Sequence, residues 1–132
     1  MSKKKLVSIL LSAVLCFGML GSTFSASAAY VSVHLTKDQT VNSSANVHGR
    51  YKYFWGENSK SSAYGVYFIV RYKSSGVWIT DQRVKLSPGQ IVEKGNAFKT
   101  RTTKNETDWF LKLNPEGGNA KGCEAWGYMR NL

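Results

Sequence analysis

GRYKYFWGENSKSSAYGVYFIVRYK, Gly49 to Lys73, decides how the rest of the chain is read. Lysines and arginines are interleaved here with tyrosines, phenylalanines and a tryptophan. The pattern fits either a surface that stacks on bases or sugars while its charges hold a phosphate, or two pleated strands read in one dimension. Successive side chains of a strand point to opposite faces. As a strand from Val47 to Trp55, the segment puts Val47, Gly49, Tyr51, Tyr53 and Trp55 on one face and His48, Arg50, Lys52 and Phe54 on the other. From Ala63 to Lys73, Tyr64, Val66, Phe68, Val70 and Tyr72 oppose Gly65, Tyr67, Ile69, Arg71 and Lys73. Most aromatics are thereby sorted away from most bases, whereas a platform for single-stranded nucleic acid needs both on one surface. The stretch reads as two strands with a core face and a solvated face. Phe54 stays with Arg50 and Lys52, and Tyr67 with Arg71 and Lys73. If the two strands pair across GENSKSSA, these six residues form one mixed patch.

Period-2 alternation continues outward in both directions, and a helical period does not. YVSVHL (residues 30–35) precedes the stretch. After it come VWITDQRVKL (77–86), an interrupted IVEKGNAFKTRT (91–102), DWFLKL (108–113) and CEAWGYMR (123–130). SSG and SPGQ separate neighbours with the residues tight turns favour. No interval offers the dozen periodic residues of a parallel crossover helix. The sequence predicts a single all-β domain, a small antiparallel β-sandwich of about seven strands or a closely related small barrel. Its expected core is Val31, Val33, Tyr51, Tyr53, Val66, Phe68, Val70, Ile79, Trp109, Leu111, Leu113 and Trp126.

The chain opens with MSKKK, a positive n-region, and an apolar run from Leu6 to Leu20. Ala26-Ser27-Ala28 then has the small-x-small form of a signal-peptidase site. The run is short of the ~20 residues that span a bilayer, and no stop-transfer charges follow it. Leu15 before Cys16 does not suit lipoprotein processing. Residues 1–28 are therefore expected to be a bacterial signal peptide, and residues 29–132 a secreted, extracellular mature domain. Export removes Lys3, Lys4 and Lys5 of the 18 basic residues and none of the 8 acidic ones, leaving 15 against 8, a formal +7. One cysteine remains, Cys123, so no internal disulfide can form. A buried, inert thiol is expected there.

No motif carries catalysis. GxSxG, phosphate-cradling loops and metal-ligand spacings are absent, and His34 and His48 lie fourteen positions apart. No catalytic residue, metal or cofactor is assigned. A small hydrolase such as a ribonuclease would have to draw on His34, His48, Glu57, Arg50 and Arg71. Tryptophan with tyrosine on a β surface also suits a sugar ring, and the chain has four tryptophans. Charge is the more usable fact, because a strongly basic domain is drawn to anionic surfaces. The expected function is a non-enzymatic binding module for an anionic polysaccharide, cell wall or membrane surface, with nucleic acid a weaker candidate. The expected contact residues are Arg50, Lys52, Phe54, Tyr67, Arg71 and Lys73. An antimicrobial, bacteriocin-like effector is the alternative that shares export, size and charge.

Overall fold

A computed structural model of the protein describes residues 30–50, 52–101, 107–118 and 120–131. The expected signal peptide and Tyr51 lie outside the described residues. Ten strands follow in order: β1 (Tyr30–Leu35), β2 (Asn42–Ser43), β3 (Val47–Gly49), β4 (Lys52–Asn58), β5 (Val66–Ser74), β6 (Val77–Leu86), β7 (Ile91–Val92), β8 (Phe98–Lys99), β9 (Thr107–Pro115) and β10 (Ala125–Asn131). The sole helical element among the described residues is a single 3-10 turn, Lys94–Asn96. All strand pairings are antiparallel.

The strands make two five-stranded sheets. The first runs β1-β10-β4-β7, with β8 also on β4; the second runs β2-β9-β5-β6, with β3 also on β9. Their inner faces share one core, Val33, Leu35, Phe54 and Met129 meeting Val66, Phe68, Val70, Trp109, Leu111 and Leu113. The all-β class and antiparallel pairing agree with the sequence. The sheets do not close into a barrel; the division of 47–55 into β3 and β4, the division of 91–102 into β7 and β8, and the short β2 raise the count from about seven to ten.

One expectation fails in an informative way. Val47 to Trp55 is two strands, not one. Gly49 takes φ +131°, a conformation that disfavours a side chain, and there the chain leaves the second sheet for the first. The alternation restarts after the crossing, so Lys52, Phe54 and Asn58 point inward and Tyr53 and Glu57 outward. β4 and β5 therefore do not pair across GENSKSSA; they lie in different sheets. Tyr53 and Trp126, expected in the core, are half-buried on the outer face of the first sheet. Ile79 is 40 % exposed at the open end of β6.

Close approach of the strands also constrains β4. A Cβ on Gly56 would collide with the Trp126 carbonyl oxygen and lie 2.6 Å from the Phe68 ring. At the far end of β4, buried Asn58 donates through Nδ2 to the carbonyls of Tyr64 (3.0 Å) and Leu86 (2.9 Å). Ser62 Oγ donates to the Glu124 carbonyl at 3.0 Å and accepts from the Glu124 N–H at 2.8 Å. These bonds fasten the long GENSKSSAYG connection to β10. Cys123 is buried as a free thiol beneath it.

The packing sets two stability expectations. Trp109→Ala empties a fully buried site and should cost about 3–5 kcal/mol, whereas Ile79→Ala should cost under about 1 kcal/mol. Denaturant titration of both variants checks the assignment; equal losses would contradict it.

Candidate functional site

The six residues expected to form one patch are distributed over three places. Lys52 and Phe54 are 0 % exposed and belong to the interior, because of the restart of alternation after Gly49. The Lys52 ammonium donates to Asn131 Oδ1 and sits 5.9 Å from the Trp109 ring centroid. Phe54 packs against Phe98, ring centroids 5.3 Å apart. Neither is available to a ligand on the surface. Arg50 is exposed on the bend between the sheets. Tyr67, Arg71 and Lys73 lie together on the outer face of β5.

That face is richer than the sequence indicated. β5 pairs β6 with a register shift between Val70 and Arg71: Val70 is opposite Gln82, but Arg71 is opposite Thr80. Asp81 is the extra residue of a β-bulge, and a bulge exchanges inside and outside for everything beyond it. Trp78 and Thr80 thus join Arg83 and Lys85 on the outer face, where a regular strand would hold the two pairs on opposite faces. On the other flank β9 buries Trp109, Leu111 and Leu113 and turns Asp108, Phe110, Lys112 and Asn114 outward. Phe110 stands opposite Arg71, and Lys112 opposite Ile69. The alternation of DWFLKL held this last placement in plain view. The bulge had no comparable signal.

Five basic side chains, Arg71, Lys73, Arg83, Lys85 and Lys112, therefore share a surface with Tyr67, Trp78 and Phe110. The cations occupy the ring surfaces. Arg83 sits 4.4 Å from the Tyr67 centroid and Lys73 5.8 Å from that of Trp78, while Phe110 meets Trp78 edge-on at 4.7 Å. Such cation–ring contacts hold long side chains in place at about 0.5–1 kcal/mol each on an exposed surface. Arg71 also donates to the Trp78 carbonyl at 3.2 Å. The nearby carboxylates are engaged: Asp108 with His48 at 2.9 Å and Glu116 with Lys85 at 3.6 Å. The net field of the face is positive.

The outer face of the first sheet differs in character. Trp55 stacks on Tyr128 at 5.7 Å, Tyr30 lies within 6.5 Å of both, and His34 stacks on Trp126 at 4.7 Å. Burial pushes the Tyr128 phenol above its ordinary pKa, with Tyr30 and Glu57 adding to the shift, so it stays a neutral donor. The residues a ribonuclease would draw on are not assembled. His34, bonded to Glu124 at 3.1 Å, and Glu57 flank Trp126 on this sheet, while His48 and Arg71 lie on the opposite side of the molecule. Among the described residues no three His, Cys, Asp or Glu side chains gather as a metal site. The chain matches no protein-family model, no curated protein and no solved structure.

The placement of the six residues has a direct test. Phe54→Ala should lower stability by about 3–5 kcal/mol, and Tyr67→Ala by under about 1 kcal/mol. Thermal melts of the two variants separate an interior ring from a surface one, and the reverse order would refute the alternation assigned to β4.

Proposed function

We propose that the protein is an exported, non-enzymatic binding module for an anionic cell-surface or extracellular polymer, engaged by the outer face of the second sheet. The observation that carries this reading is the convergence of Arg71, Lys73, Arg83, Lys85 and Lys112 from three adjacent strands; among the described residues Asp108 is engaged by His48, Asp81 by the Arg101 N–H and Glu116 by Lys85. Convergent charge of one sign attracts a polyanion over a Debye length of about 8–10 Å, and repetition along a polymer multiplies contacts that are singly weak. Tyr67 and Trp78 serve chiefly as supports. By holding Arg83 and Lys73 they lower the entropy lost when those cations meet a phosphate or carboxylate.

Aromatics and bases on one surface also suit single-stranded nucleic acid, which brings that second reading back. The cation lying on each of the Tyr67 and Trp78 rings favours the anionic polymer, since a base would have to displace it before stacking. The expected ligands are teichoic-acid-like or acidic polysaccharide chains, with affinity in the micromolar range or weaker at moderate salt.

Pull-down of the mature domain on native cell wall, acidic polysaccharide, anionic vesicles and DNA, at low and moderate salt, tests the class. Retention should fall steeply with salt. Combined replacement of Arg71, Lys73, Arg83 and Lys112 by alanine should weaken it at least about tenfold and flatten the salt dependence. Tyr67→Ala should weaken it less. Absence of retention at low salt on every polymer would refute the reading, and unchanged binding by the fourfold variant would displace the site from this face.

A further inference from the structure

The first sheet carries a second surface with a different chemistry. Three shallow depressions of about 270, 240 and 330 Å³ lie end to end along the outer face of β4. The first is lined by Tyr53, Trp55, Lys94 and Arg130. The second shares Trp55 and Lys94 with it and adds Glu57, Ile91 and Tyr128. The third shares Glu57 and Ile91 with the second and ends at Trp126 and Lys60. Because each neighbour shares two residues with the next, they form one trough. Its floor follows Tyr53, Trp55 and Glu57, alternate positions of one strand, and so extends on the order of 13 Å before its ends are counted.

Two properties separate this trough from the basic face. Its charges are mixed: Glu57 and Glu93 against Lys94 and Arg130, with Lys60 at one end, so a polyanion gains little here. Its aromatic rings are fixed in advance. One side of Trp55 is covered by Tyr128, interplanar angle 21°, and one side of Trp126 by His34, interplanar angle 10°. Half-buried Trp126 lines one end of the trough, whereas Trp55, 8 % exposed, contributes only an edge to it. Indoles immobilised by a neighbouring ring lose little entropy when a ligand contacts them.

We propose that this trough is a binding site for an uncharged glycan chain, separate from the polyanion face. A sugar ring is amphipathic, with C–H faces that suit indole and phenol rings and equatorial hydroxyls that need both donors and acceptors. The trough supplies apolar surface from Tyr53, Tyr128 and Trp126, acceptors from Glu57 and Glu93, and donors from Lys94 and Arg130. Each depression falls at or below the low end of the roughly 300–1,000 Å³ of a drug-sized pocket, which fits single rings of an extended chain better than one compact ligand. The protein then has two independent grips on opposite faces, one electrostatic and one by ring contact.

The experiment uses the mature domain and uncharged hexasaccharides of β-1,4-linked glucose and of β-1,4-linked N-acetylglucosamine. Calorimetry and tryptophan fluorescence are recorded at high salt, where the polyanion face is screened. Binding of at least one probe, with a fluorescence change, is expected. Trp126→Ala and Tyr53→Ala, both half-buried positions, should each weaken it about tenfold while leaving polyanion retention unchanged. Glu57→Gln should weaken it without altering the melting temperature, which keeps the test open if Trp126→Ala is unstable. Binding of neither probe overturns the proposal, as does binding that Tyr53→Ala, Trp126→Ala and Glu57→Gln all leave intact. A fluorescence change that depends on protein concentration alone also overturns it, assigning the trough to a second copy of the chain. Failure here leaves the polyanion reading standing, because the fourfold basic variant and the trough variants report on opposite faces.

Discussion

The Trp109 indole N–H donates to the Gly49 carbonyl at 3.0 Å, and the rest of the architecture depends on what this bond secures. Gly49 is the last residue of β3 in the second sheet, and three residues later the chain is β4 in the first. Trp109 is wholly buried on β9, the central partner of β2, β3 and β5. A buried indole must place its N–H on an acceptor. The acceptor available is the carbonyl at the crossing point, so the largest core side chain fixes where the chain changes sheets. From there the alternation of β4 follows, with Phe54 inward and Tyr53, Trp55 and Glu57 outward.

With Cys123 a free thiol, packing and buried polar bonds hold such a crossing together. Lys52 is the costly member of the set. A desolvated ammonium is tolerated where compensating contacts are close, and here Asn131 and the face of Trp109 supply them. The Lys52 backbone N–H donates to Thr100 Oγ1 and its carbonyl accepts from the Thr100 N–H, both at 3.0 Å, which ties the segment after β8 to the crossing. The bulge residue Asp81 receives the next backbone N–H, that of Arg101, at 2.8 Å. One short run, Thr100–Arg101, thus links the crossing in the first sheet to the bulge in the second. The two irregularities that set both outer faces are mechanically joined.

What the sequence revealed and what it hid divide at these same two irregularities. β1, β5 and β9 stand where alternation put them, because regular strands with one buried face write their register into the sequence. Val66, Phe68, Val70, Trp109, Leu111 and Leu113 are core for that reason. Lys52, Phe54 and Tyr53 were misplaced because Gly49 looks like any strand glycine until its dihedral angle is known. That Trp78 and Thr80 share a face with Arg83 and Lys85 was hidden because a bulge adds one residue without any required residue type. The basic face was half legible: Tyr67, Arg71 and Lys73 come from an unbroken strand, whereas Arg83, Lys85, Trp78, Phe110 and Lys112 needed the pairing partners of β5. The aromatic trough required β4, β10 and the segment from β7 to β8, which are far apart in sequence.

Two breaks in alternation also explain why the outer faces differ so much in charge. Had Val47 to Trp55 been one strand, Tyr53 and Trp55 would have been spent on the core, with Lys52 added to the solvated side. The crossing instead withdraws one lysine into the interior and delivers two aromatics to the outside of the first sheet, where Tyr128 and Tyr30 meet them. The bulge works in the other direction, moving Trp78 outward beneath the Lys73 ammonium and leaving Arg83 above Tyr67. Bases concentrate on one face, and half-buried aromatics among mixed charges on the other, from a sequence in which the two types simply alternate. A polymer bearing both anionic groups and uncharged rings would meet complementary chemistry on each side of this thin two-layer fold, and the separation of the faces by a full core prevents a single short ligand from engaging both.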